Sequence, residues 1–192
     1  TYIKFDKQTQ PVINPFSGIN ATDFDSDELP QLKQILAKMA SPEVPLDSLH
    51  LSYLEAAIRK AWHLHGNQTE ITEVAAVLAA SPRREQKNLA VMLEPWTRAG
   101  SYGRYFTGAS NIDLDNRFVV LEMSDLDSRP DLQGVVLMIL IHRITELMYH
   151  GDRSQRKLCI IDEAWRLLGN GNAGAFVEAG YRTARKYGGA FV

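Results

Sequence analysis

Residues 158–163 read Leu158-Cys159-Ile160-Ile161-Asp162-Glu163, four apolar side chains in succession and then two adjacent carboxylates. With Lys157 in front, the apolar run has the composition of a strand covered on both faces of a parallel sheet. Upstream, Phe118-Val119-Val120-Leu121-Glu122-Met123 is a second short run rich in β-branched and aromatic residues, and residues 132–149 between the two are long and apolar enough for a helix. Strand, helix and strand in that order imply that these two runs pair in parallel, because a parallel pair needs a crossover. Downstream, a helix is expected over residues 175–186 and a last apolar strand over residues 189–192.

The chemistry expected of this pattern lies at the strand end. In open parallel sheets the ligand crevice lies outside the carboxyl ends of the strands, so acids there can face a nucleotide and its metal. A strand-end Asp162 suits Mg²⁺, and the neighbouring Glu163 suits orienting or deprotonating the attacking water in phosphoryl transfer. The competing reading is that both acids merely open the next helix, where carboxylates favour the positive end of the dipole. Two ionised groups ending a buried strand are easier to explain over a cation. Arg182, Arg185 and Lys186 fall on the following helix. A guanidinium reaching across a subunit boundary can stabilise a transferring phosphoryl group; a solvated basic face at a helix C-terminus explains the same residues equally well.

Other patterns carry less. Gly169-Asn170-Gly171-Asn172-Ala173-Gly174 matches G-x-G-x-x-G, but that dinucleotide signature must follow a strand directly. Gly103-Arg104-Tyr105-Phe106-Thr107-Gly108-Ala109-Ser110 places Ala109 where a phosphate-binding P-loop needs lysine. His63, His65, His142 and His150 make no H-E-x-x-H and no Cys/His set, and read as ordinary helix histidines.

Ahead of the α/β grammar the period changes. Leu29, Leu32, Ile35, Leu36 and Met39 form one helical stripe; Leu51, Leu54, Ile58, Ala61 and Trp62 form a second, with Ser48 as expected N-cap and Gly66 as its end. A third helix with Ile71, Val74, Val77 and Leu78 begins after Gln68 or Thr69 and stops at Ser81-Pro82, and a fourth runs from about Arg83 through Leu89 and Leu93 to a break near Pro95. The expected organisation is a strand and loop over 1–25, opening with Tyr2-Ile3-Lys4-Phe5, an all-α subdomain over 26–100, and an α/β segment over 101–192 entered through a Gly- and Tyr-rich loop.

Composition bounds the rest. The chain has 192 residues, 45% of them hydrophobic and 23% charged, which is the balance of a globular protein with a core. Lys and Arg total 21 against 23 Asp and Glu, a formal charge of −2, so no global basic field is available for nucleic acid. Residues 135–141 are far short of the roughly 18 apolar residues of a spanning helix. A single cysteine, Cys159, cannot form an internal disulfide and fits a buried thiol in a reducing compartment. The start at Thr1 and the apolar end at Val192 suggest a piece of something longer.

The stretch Cys159-Ile160-Ile161-Asp162-Glu163-Ala164-Trp165-Arg166-Leu167-Leu168, followed by Gly180-Tyr181-Arg182-Thr183-Ala184-Arg185-Lys186-Tyr187-Gly188-Gly189, resembles the Walker B region and following helix of TraC-type conjugative type IV secretion ATPases. Ile13-Asn14-Pro15-Phe16 and Gly100-Ser101-Tyr102-Gly103 with Phe106 extend the resemblance over most of the chain. It implies an α/β fold: a partial RecA-like P-loop NTPase sheet with an inserted all-α subdomain. It implies a cytoplasmic ATPase peripheral to the inner membrane, associated with secretion-channel proteins, often hexameric, and energising pilus assembly and DNA transfer. The implied cofactors are ATP and Mg²⁺. By the same resemblance Asp162 would hold Mg²⁺, Glu163 would activate water, and Arg182 or Arg185 would serve a neighbouring subunit's site. No window of the sequence supplies G-x-x-x-x-G-K-[ST], so these 192 residues alone are expected to be inactive. The alternatives are a non-catalytic scaffold whose helical block docks a secretion-channel partner, and a coupling-protein or FtsK-like DNA translocase.

Overall fold

The computed structural model describes residues 1–6, 8–150, 157–160 and 189–191. The chain opens on strand β1, Tyr2–Lys4, which pairs in parallel with β2, Val120–Glu122, in the register Tyr2 with Val120, Ile3 with Leu121 and Lys4 with Glu122. The ladder extends at both ends: the Val120 amide donates to Thr1 O at 2.9 Å and the Phe5 amide to Glu122 O at 3.0 Å. A parallel pair cannot be closed by a tight turn. Here the connection is the whole helical block.

That block contains α1 (Leu29–Ala40), α2 (Ser48–His65), α3 (Ile71–Ala79) and α4 (Arg84–Leu93), with a short π-helical turn, Phe24–Glu28, leading into α1. The expected stripes face inward: Leu32, Ile35, Leu36 and Met39 of α1, Leu54, Ile58 and Ala61 of α2, and Val74 and Leu78 of α3 are all buried. Phe24 stacks on Trp62 with centroids 4.6 Å apart. Trp96 closes the far end, its indole N–H donating to Met39 O at 2.9 Å.

Two helix starts differ from expectation. The N-cap of α2 is Asp47 rather than Ser48: with the extended backbone of a cap, its carboxylate accepts from the His50 amide at 2.9 Å. At α3 the cap is Glu70, in a reciprocal arrangement with Glu73 whose Oε2 accepts from the Glu70 amide at 2.8 Å. Gly66 ends α2 with φ at +53°, a conformation other residues adopt only with strain.

Beyond the block, the Gly- and Tyr-rich loop packs inward, with Tyr105 and Phe106 buried. Helix α5, Pro130–His150, is buried through Val135, Val136, Leu137, Met138, Ile139, Leu140 and Ile141. One apolar core runs from Phe5 through the helical block to Leu140. Strand β3, Lys157–Cys159, pairs in parallel with β4, Gly189–Phe191, in the register Leu158 with Ala190.

Parallel pairing is therefore present, but with other partners than the sequence suggested. Among the described residues β2 pairs with β1, and β3 with β4; no ladder joins β2 to β3. Alternation and apolarity mark a strand but do not specify its neighbour. Coverage of β3 differs too. Cys159 is half-buried against Met148 of α5, whereas Leu158 and Ile160, on the opposite face, are 61% and 69% exposed. No described helix is long and apolar enough to cross a membrane.

Candidate functional site

The pair that carries the expected chemistry, Asp162 and Glu163, follows the described residue Ile160 closely in the chain but lies outside the described residues, as do Arg182 and Arg185. What is described is the strand leading to them. β3 is parallel to β4, so its carboxyl end is the edge at which ligands of open α/β sheets bind. The donor set is two carboxylates, oxygen ligands matched to a hard cation such as Mg²⁺. Among the described residues no cluster of three or more His, Cys, Asp or Glu side chains could hold a metal.

Cys159, immediately before that edge, has its thiol pushed up to about 11 by burial. It is a packing residue, shared between β3, Met148 and Ile144, and not an activated nucleophile.

The carboxyl edge of the other strand pair is filled by its own charges. Lys4 Nζ lies 3.6 Å from Asp6 and 3.6 Å from Asp125, and Glu122 accepts from the Ser124 amide at 2.9 Å. The hydrogen bond from Ser124 holds the Glu122 carboxyl below its ordinary value. The Thr9 and Gln8 amides and the Thr9 hydroxyl do the same for Asp6.

A second polar centre was not anticipated from sequence. His142 Nε2 and Glu28 Oε2 are 3.1 Å apart, and both side chains are 9% exposed. Arg143 Nη1 lies 3.8 Å from Glu28 Oε1, while its Nη2 donates to Pro15 O at 2.8 Å and Ser17 O at 2.6 Å. Burial pushes the Glu28 carboxyl up; the hydrogen bond from His142 and the charges of His142 and Arg143 outweigh it and hold the group below its usual value. The available signal was the dipeptide His142-Arg143 set directly after seven apolar positions of a buried helix.

Asn14 sits beside this centre in sequence and is 2% exposed. Its Nδ2 donates to Thr69 O at 3.0 Å and Gly108 O at 3.1 Å, and its Oδ1 accepts from the Phe16 amide at 3.0 Å. The Gly108 amide donates in turn to Glu70 Oε1 at 2.8 Å. The loop is thus bound to the helical block through the backbone of Gly108.

The structure joins a front loop, a helical block and the parallel pair β3–β4. The sequence profile of the TraG P-loop domain family matches residues 72–192. The chain belongs to the TraG P-loop domain family. The chain is 37% identical over 193 residues to Protein TraC of Escherichia coli K12, covering 93% of this chain and 22% of TraC. It is 26% identical over 105 residues to the type IV secretion system protein virB4 of Bartonella quintana, covering 54% of this chain and 13% of that protein. The chain therefore spans about a fifth of TraC and less of virB4.

The fold is shared with a solved structure. VirB4 of Thermoanaerobacter pseudethanolicus superposes over the whole of this chain and 55% of its own, with a TM-score of 0.80 at 16% sequence identity. At that identity the match speaks to fold, and the fold is the one expected: α/β and RecA-like, with a helical insert between strands.

Proposed function

We propose that the chain is the Walker B part of an ATPase that powers conjugative pilus assembly and type IV secretion. The observation that supports this most is the TraG P-loop domain match over residues 72–192, which takes in β3 and the acids that follow it. In this reading Asp162 is the ligand that holds Mg²⁺, and the bound metal neutralises charge on the phosphates. Glu163 orients the attacking water and accepts its proton. Arg182 or Arg185 reaches toward the site of an adjacent subunit in a hexamer, a role that can contribute about 10³ to 10⁵ in rate. The division into 1–25, 26–100 and 101–192 follows the same reading, with the middle portion as the inserted subdomain.

The intact protein works at the cytoplasmic side of the inner membrane, held there by secretion-channel proteins. The residues preceding Thr1 in the intact protein test this. The proposal expects a strand followed by G-x-x-x-x-G-K-[ST]. Its absence would remove the phosphate cradle and leave a binding scaffold in which the helical block is the docking element.

A further inference from the structure

Helix α5 presents an unusual combination. From Val135 to Ile141 every position is aliphatic or Met and buried, so the packing of this stretch discriminates weakly between small axial or rotational shifts of the helix, since interchangeable aliphatic side chains specify position loosely. The next two residues are His142 and Arg143, and both bind Glu28. Glu28 is the residue immediately before α1, the first helix of the helical block. Arg143 also grips the carbonyls of Pro15 and Ser17, at 2.8 and 2.6 Å. Buried ion networks contribute little net stability compared with apolar packing, but they tolerate few geometries.

A few residues further along α5, Met148 packs with Ile144 and with Cys159 of β3. The same helix is therefore fixed to the front loop and the start of α1 at one point and to β3 at another.

We infer that Glu28, His142 and Arg143 form a positioning latch that sets where α5 stands against the helical block, and through Met148 and Cys159 sets the placement of the acid-bearing strand. Displacement of α1 relative to the front loop is then transmitted to β3. Arg143 is a positioning residue that acts on the hydrolytic site through α5. The inference rests on the ATPase reading for its effect on turnover, but not for the mechanical link.

Arg143→Met keeps the length and apolar stem of the side chain while removing its grip on Glu28, Pro15 and Ser17. Two readouts on the full-length protein separate the link from the reaction. Alkylation of Cys159, followed peptide by peptide by mass spectrometry, reports on the contact between α5 and β3; steady-state ATP hydrolysis reports on the acids. Leu54→Ala, a core truncation in α2 away from the latch, serves as the comparison for general loosening.

Arg143→Met is expected to speed Cys159 alkylation about fivefold or more. It should lower kcat on the order of tenfold with KM within about threefold, and Leu54→Ala should do neither. Unchanged alkylation in folded Arg143→Met overturns the latch, whatever the ATPase does. Equal acceleration in Leu54→Ala also overturns it. Faster alkylation in Arg143→Met alone, in a protein whose wild type hydrolyses no ATP, upholds the mechanical link and overturns the ATPase reading instead.

Discussion

His142 and Glu28, 114 positions apart in sequence, meet at 3.1 Å with both side chains 9% exposed. The contact ties the helix preceding β3 to the entry of α1, and its charge state has a measurable consequence. Because the folded-state carboxyl of Glu28 is held below its ordinary value, its contribution is fully present above the unfolded value of about 4.5. It is lost as pH falls through the lower folded value. Urea unfolding midpoints of wild type and Glu28→Gln should differ most at pH 6 to 7 and converge as pH drops below 4. At neutral pH the substitution is expected to cost about 3 kcal/mol, as for removing one partner of a buried pair. A difference independent of pH would contradict the ionised state assigned to Glu28.

Asn14 offers a sharper test of the front loop. Its Nδ2 faces the carbonyls of Thr69 and Gly108 at 3.0 and 3.1 Å. Asn14→Asp replaces that donor by an anion pointing at two acceptors, so it should destabilise by about 3 kcal/mol or more at neutral pH. The loss should shrink in acid, where the introduced carboxyl is protonated and can donate. Thermal unfolding at pH 4 and pH 7 reads this directly.

Which parts of the fold were legible follows from what each signal encodes. The stripes of α1, α2 and α3 were readable because apolar residues recur at helical period within each helix, and Leu32, Leu54 and Val74, one from each stripe, are buried. Strand partners were not readable. The pairing of Tyr2 with Val120 spans the entire helical block, and local sequence holds no record of a neighbour so distant. Asp47 and Ser48 are both competent caps, so only the geometry of the turn chose between them. The acids after β3 stood out in the sequence as two adjacent carboxylates at the end of an apolar run, but they fall outside the described residues. The Glu28 centre was half-legible: His142 and Arg143 were conspicuous, but nothing near them in sequence pointed to Glu28.

Two glycines should respond in opposite directions to the same substitution. A Cβ on Gly100 would stand 2.2 Å from Glu94 O and 2.3 Å from Pro95 O, which are backbone atoms with little room to move. Gly134 lies within α5 with nothing within 4 Å of the added atom. Gly100→Ala is expected to lose about 2 kcal/mol or more, while Gly134→Ala should gain about 0.5 to 1 kcal/mol from helix propensity. Differential scanning calorimetry on both variants checks the pair. A neutral Gly100→Ala would mean that the turn around Pro95 is not packed as described.

Cys159 provides a chemical measure of the packing beneath β3. With its thiol pushed up to about 11, alkylation should be slow at pH 8. It should rise about tenfold per pH unit before levelling near that value. A rate profile levelling near 8.5 would indicate a thiol free of α5.

The central claim, that the acids after β3 hydrolyse ATP in the intact protein, is tested most directly by Glu163→Gln in that protein, with nucleotide binding and turnover measured side by side. ATP affinity should stay within about threefold of wild type and turnover should fall by about 10² or more, because the carboxamide cannot accept the proton of the attacking water. Undiminished turnover in a folded Glu163→Gln protein would contradict it.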